Sequence, residues 1–288
     1  MAVDNLGGAA RRVATHRAPP LAPAPDAAPV LTPNRRARWD AVARALPDLA
    51  GARSTQCYQV CERALVERVL PAPRGQRVLK LDLWNEAVNT RLLQWLEGRG
   101  AHTVGIDLSG VTARRAQANF ARDGRGGRFA QADIRALPFA AGSFDFVYTM
   151  GTIEHVAEYD LALREVRRVL RVGGRAVIGV PYRWDPFLRP LVAWTLQRLG
   201  RYPYSPERSF GGRELIRAVE RAGLRVSARS GLMVMPGVLR LADLLLHVRR
   251  HPLERLSAAA VAPFEAAELR WAWTRRFAYL VAVVAHRD

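Results

Sequence analysis

Apolar residues recur at helical spacing in the first part of the chain and then contract into short runs separated by single helices. Between 34 and 70 the spacing is three and four: Trp39, Val42, Ala43 and Leu46, then Val60, Leu65, Val66 and Val69, up to the break at Pro71-Ala72-Pro73. Next, 77–83 predicts a strand, and Val88, Leu92, Leu93 and Leu96 mark one face of a following helix. The runs 102–109, 126–133, 143–150 and 175–182 predict four more strands, with helices over 111–122 and 159–170. Strands joined by single helices require right-handed crossovers, and these form a parallel sheet. The tail differs. A helix over 212–223 stops at glycine, 224–231 predicts a strand, and 277–287 is apolar on both faces and therefore a buried strand. The stretch 232–276 is too long for a structureless loop, and its Leu and Met content predicts helices. A second insertion, 183–209, carries one amphipathic helix.

A length of 288 residues, about half of them apolar, suits one α/β core with additions. The expected organisation is an Ala, Pro and Arg-rich disordered leader over 1–33 and a single domain over 34–288, comprising N-terminal helices 34–70, a core at 76–182 and helical insertions at 183–209 and 232–276. The formal charge of +18 comes from arginines scattered over nearly every segment. They do not gather into one stripe with interleaved aromatics, which favours a solvated basic surface over a nucleic-acid site. Cys57 and Cys61 lie one helical turn apart without a CxxC partner or histidine pair, so they read as reduced helix residues and no metal site is expected. No uninterrupted apolar run is long enough to span a membrane, and the leader lacks the apolar core of a secretory signal; a cytoplasmic location is expected, with peripheral membrane contact as a variant of it.

In an open parallel sheet, ligands bind beyond the carboxyl ends of the strands, where strand order reverses. The ends to inspect are Asp82, Asp107, Asp133, Met150 and Pro181. Asp107 stands where a carboxylate would accept both hydroxyls of a ribose, or would cap the next helix unless Ser109 does so. Asp133 could receive the exocyclic amine of an adenine while the backbone of Ile134 meets a ring nitrogen; the alternative is a turn aspartate. A nicotinamide dehydrogenase is disfavoured, since no G-x-G-x-x-G follows a strand.

The succession VGIDLS, QADIRALPFAAGSFDFVYTMGTIEHV and ALREVRRVLRVGGRAVIGVPY closely resembles class I S-adenosylmethionine (SAM) dependent methyltransferases, in particular the type 11 branch, over roughly residues 76–182. The resemblance implies a Rossmann-like α/β fold, a seven-stranded mostly parallel sheet in the order 3-2-1-4-5-7-6 with the last strand antiparallel and helices on both faces. It implies SAM as cofactor, with Asp107 as the ribose acid, Leu108 packing on the adenine, Asp133 and Ile134 as adenine contacts, and Thr149, Met150 and Gly151 as the wall beside the methionine part. The insertions would then cover an acceptor pocket.

One stretch departs from that resemblance. Relatives carry an acid and Gly-x-Gly-x-Gly after the first strand, where backbone amides approach the cofactor's tail. Here VLKLDLWNEAV puts Lys80, the protein's one lysine, in place of the acid, and Asp82, Trp84 and Glu86 in place of the glycines. A minority of methyltransferase-like sequences resemble this Lys-x-Asp-Leu-x-x-Glu-Ala turn. On this reading Lys80 pairs with the cofactor carboxylate, Asp82 or Glu86 with its cationic groups, and Asn85 caps the helix; alternatively Lys80 and the acids neutralise one another.

Methyl transfer from a sulfonium is an in-line displacement that demands positioning and exclusion of water. Where the acceptor must lose a proton, His155 is the candidate base, because an imidazole titrates near neutrality. Tyr148, Tyr182, Arg183 and Trp184 are candidate acceptor-pocket residues. The apolar helices at 187–200 and 232–248 suit a small or lipid-linked acceptor or a membrane surface. Two other classes of function stand beside this one: a methyltransferase-like scaffold without turnover, suggested by the missing glycines, and an RNA-modifying methyltransferase, which would show a steep salt dependence. The sequence gives no oligomeric state.

Overall fold

The computed structural model describes residues 33–45, 47–200, 202, 204 and 206–288. The leader expected up to residue 33 lies outside them, except for Pro33 at the start of the first helix, as does Leu46. The chain runs α1 (Pro33–Ala45), α2 (Arg53–Val69), β1 (Arg77–Lys80), α3 (Trp84–Val88), α4 (Leu92–Gly98), β2 (His102–Asp107), α5 (Gly110–Arg122), β3 (Arg128–Gln131) and β4 (Phe144–Met150). A 3-10 turn (Ile153–His155) leads to α6 (Tyr159–Val169), β5 (Leu170–Pro181), α7 (Arg189–Arg198), α8 (Gly212–Arg221), β6 (Arg225–Leu232), α9 (Gly237–Val248) and α10 (Glu254–Arg270). A second 3-10 segment (Ala272–Phe277) precedes β7 (Leu280–His286).

The seven strands lie in the order β3-β2-β1-β4-β5-β7-β6. The β1–β2, β1–β4, β2–β3 and β4–β5 pairs are parallel, and β7 runs antiparallel between β5 and β6. Alternation along each strand feeds two cores. Val78, Phe146, Tyr148 and Val177 pack toward α2, α3, α4 and α5, whereas Leu79, Leu81, Val147 and Ile178 pack toward α6 and α8. The central location of β7 explains its apolar character on both faces. Strand order reverses between β1 and β4, so a crevice opens at their carboxyl ends.

After β1 the structure departs from the expected single helix. α3 and α4 are separated at Asn89-Thr90-Arg91, with Arg91 in the left-handed region at φ 54°. The buried amide of Leu93, in the first turn of α4 and so without an intrahelical acceptor, is taken by the Glu86 carboxylate at 3.1 Å, so α3 supplies a side chain that α4's own N-terminus lacks. Asn85 does not cap α3: Leu83 occupies that position, and Asn85 sits in the first turn, its side-chain oxygen accepting from Asn89 at 3.0 Å. Asn119 of α5 donates to the carbonyls of Glu86 and Ala87, both at 2.9 Å, which seals the end of α3. The insertion 232–276 forms α9 and α10, and 183–209 contributes α7.

Candidate active site

A cavity of about 380 Å³ opens at the carboxyl ends of β1, β2 and β4, within the range of roughly 300–1,000 Å³ usual for small-molecule sites. One half is polar and built from strand ends: Asp82, Asp107, Leu108, Asp133, Ile134, Met150 and Gly151. The other half is apolar and built from the insertions: Phe187, Val192 and Leu196 around α7, Val238, Leu241 and Leu244 on α9, and Tyr279 and Leu280 before and within β7.

Each polar group is fixed by its neighbours. Asp107 accepts the backbone N–H of Leu83 at 2.9 Å through one oxygen and that of Ser109 at 2.8 Å through the other. Burial pushes its carboxyl up to about 6, against these two amides, which favour the charged form. Ser109 performs the capping of α5, accepting from Thr112 N–H at 3.2 Å, so Asp107 is left for the cavity. Asp133 accepts from the Arg135 amide at 2.9 Å and from its guanidinium at 2.8 to 3.1 Å; burial opposes its charge, but these bonds win and hold its carboxyl below the usual range. It is a turn aspartate and a cavity residue at once. Glu154 and His155 both line the cavity. Glu154 is buried with one carboxyl oxygen unpartnered, and burial raises its pKa well above the ordinary carboxyl value. His155 meets the Pro206 carbonyl through Nδ1 at 3.2 Å and the edge of Trp39 from α1.

Beneath the polar half lies a buried charge cluster. Lys80 is completely buried, and its ammonium donates to the Asp82 carbonyl at 2.8 Å and to the Asp82 carboxylate at 2.9 Å, with Glu86 at 4.0 Å. Burial works against its charge, yet Asp82, Glu86 and Glu62 of α2 outweigh that and hold its pKa above the ordinary value. Glu62 accepts from the hydroxyls of Tyr148 at 2.8 Å and Thr90 at 2.5 Å. Burial pushes Glu86 up to about 7, offset in part by Lys80. Asp82 alone of this cluster reaches the cavity, where its second oxygen accepts from Thr152 at 3.3 Å.

Residues 87–178 match the family described as "Methyltransferase domain". The demethylmenaquinone methyltransferase of Thermus thermophilus is 30% identical over 194 residues, covering 60% of this chain and 82% of that protein. The chain belongs to the class I SAM-dependent methyltransferases. The ubiquinone/menaquinone biosynthesis C-methyltransferase of Sinorhizobium fredii is 32% identical over 132 residues, 43% of this methyltransferase and 49% of the relative. Among solved structures, the geranyl diphosphate C-methyltransferase from Streptomyces coelicolor A3(2) superposes with a TM-score of 0.53 at 19% identity, covering 79% of this chain and 78% of that one, a likeness of fold.

The methyltransferase brings Asp82, Asp107, Leu108, Asp133, Ile134, Met150, Gly151 and His155 to one cavity. Other expected site residues lie elsewhere. Lys80 and Glu86 are buried below the floor and do not reach the cavity, because the two-residue period of β1 turns Lys80 to the same face as Val78, toward α2. Thr149 is buried in the sheet, and Tyr148 spends its hydroxyl on Glu62. Tyr182 packs under Arg229 at 5.2 Å, Arg183 is exposed and bridged to Glu214 at 2.8 Å, and Trp184 is exposed. Neither Tyr148 nor these three lines the cavity; after β5 the chain turns outward, and the acceptor side is built by α7 and α9 instead. Sequence reasoning missed Glu62, although it stands with Tyr58, Cys61, Leu65, Val66 and Val69 in the buried stripe of α2 at spacings of three and four. It expected the helix α1 but missed its part at the site, where Asp40 accepts from Ser109 Oγ at 2.5 Å and Val111 N–H at 3.2 Å.

Proposed function

We propose that the polar half of the cavity receives SAM and the apolar half a small or lipid-linked acceptor. The observation that carries this reading is the continuity of one cavity from the acidic strand ends to a chamber of Phe, Val and Leu side chains. The residues present fit the cofactor. Both Asp107 oxygens accept only one backbone amide each, which leaves lone pairs for a ribose diol, and Leu108, Asp133 and Ile134 line the wall where an adenine would lie. Four carboxyl groups, those of Glu62, Asp82, Glu86 and Asp107, surround one ammonium, an electron-rich floor suited to a ligand bearing an ammonium and a sulfonium. The Lys-x-Asp-Leu-x-x-Glu-Ala turn acts as a variant loop in which Lys80 sets the Asp82 carboxylate in place.

Bound SAM supplies an electrophilic methyl group. The chain's part is to orient the acceptor, exclude water with α7 and α9, and accept a proton where the acceptor must lose one. His155 is the base in this scheme, with Glu154 beside it on the cavity wall. The relatives named for quinone biosynthesis support an acceptor with an apolar ring or chain. Exposed Leu191, Trp194, Leu241 and Leu245 flank the apolar half, and with the basic surface they support peripheral contact with an anionic membrane, and a cytoplasmic location at its surface.

Calorimetry with SAM and transfer of labelled methyl groups to a panel of quinol and prenyl acceptors test the reading. Asp107→Ala weakens SAM binding about tenfold or more, the loss expected for a charge-assisted hydrogen bond. An unchanged affinity in that variant, or labelling of water-soluble polar acceptors alone, would sink it.

A further inference from the structure

We propose that Arg240, on the first turn of α9, holds the α-carboxylate of the cofactor's methionine tail in place of the missing glycine turn. This rests on the cofactor assignment above. Three arginines line the cavity: Arg35, Arg189 and Arg240. Arg35 donates to the His155 carbonyl at 3.5 Å, and its charge acts on Asp133 at the proposed adenine wall. Arg189 is paired with Glu207, donating at 3.0 Å, and stacks on Tyr279 at 4.6 Å, on the acceptor side. Arg240 has no carboxylate partner among the described residues. Its guanidinium lies over the Tyr58 ring at 5.3 Å and donates to the thioether of Met233 at 2.9 Å, a weak acceptor.

The surroundings of Arg240 are those of the tail. The Tyr58 hydroxyl meets the side chain of Asn85, at the head of the turn where relatives carry glycine. One helical turn on, Asn89 also lines the cavity. Lys80, within this turn, is spent on Asp82 and does not reach the cavity. An arginine without a carboxylate partner among the described residues thus lines the space where a carboxylate would end. Arg240 is held there from behind. Asp243, three residues on and fully buried, accepts from the Ser54 amide at the N-terminus of α2 at 2.7 Å and from Ser257 of α10 at 2.9 Å. The same helix presents Leu241 and Leu244 to the acceptor chamber. Tail binding therefore fixes the wall against which the acceptor packs.

S-adenosylhomocysteine carries the amino-acid tail and 5′-methylthioadenosine lacks it, so the two ligands isolate the contact. For Arg240→Met, calorimetry on the full chain is expected to show at least a tenfold loss of S-adenosylhomocysteine affinity, with methylthioadenosine affinity within about twofold of the parent. Arg240→Lys restores most of the loss, and hydrogen exchange in α9 slows with S-adenosylhomocysteine but not with methylthioadenosine. Equal weakening of both ligands overturns the proposal, since the arginine then serves the fold. Unchanged affinity for both overturns it too and assigns the cation to an anionic acceptor. Failure of the parent chain to bind either ligand refutes the cofactor assignment itself.

Discussion

Glu86 shows how a single side chain can serve the fold at a pH-dependent cost. Its carboxylate takes the Leu93 amide with one oxygen, while the other is buried without a partner. Burial raises its pKa from 4.5 to about 7. The folded state thus binds this proton more tightly than the unfolded chain, and the resulting stability is full below pH 4.5 and lost as pH rises through about 7. Glu86→Gln, which cannot ionise, is expected to gain about 2 kcal/mol relative to the parent between pH 5 and pH 8. Urea unfolding at the two pH values checks this, and a difference independent of pH would refute it. Asp107 was legible at this scale because its position at a strand end fixes its direction. For Lys80 the alternative of mutual neutralisation with Asp82 and Glu86 was legible and is what the structure shows; the share of Glu62 was not, because that residue stands on α2, far away in sequence.

Helices and strands were legible where their own periodicity decided them. All seven strands fall within or close to the expected runs, because alternation and β-branched content are local signals. The break between α3 and α4 was hidden, since Val88, Leu92, Leu93 and Leu96 fit one helical face whether or not the helix is continuous. Only the Glu86 and Asn119 contacts, made across elements, settle the break. α9 is a similar case. Its apolar spacing predicts a helix, while Asp243 decides where that helix docks. Asp243→Ala leaves the Ser54 amide and the Ser257 hydroxyl without their shared acceptor and is expected to cost about 2 kcal/mol in urea unfolding. Faster amide exchange should be concentrated in α9 and the first turn of α2; uniform acceleration over the sheet would show that the contact does not hold α9 in particular.

At the scale of the whole molecule, the proposed membrane contact draws on net charge and exposed apolar surface together. No helix among the described residues is long and apolar enough to cross a membrane. The proposed peripheral contact instead combines the arginine-rich surface with Leu191 and Trp194 of α7 and Leu241 and Leu245 of α9, all exposed. The chain is expected to pellet with anionic vesicles at moderate salt and to be released by Trp194→Ser combined with Leu241→Ser. Pelleting that salt abolishes in parent and variant alike would reduce the contact to charge attraction alone.

Sequence by itself determined the strands, the crossover helices and the acids at the carboxyl ends of β1 and β2, because these follow from short periodicities and from the ends of runs. It also carried the family resemblance through the segment from Asp133 to His155. Tertiary structure alone decided what occupies the turn after β1. There, Lys80 faces inward to Asp82 and Glu62, and Arg240, some 160 residues later in the chain, faces the open space above Tyr58. The reason is physical: a buried charge is settled by whichever partners surround it in space, and for Lys80 the nearby Asp82 and Glu86 are joined by Glu62 of α2, which no local pattern connects to β1.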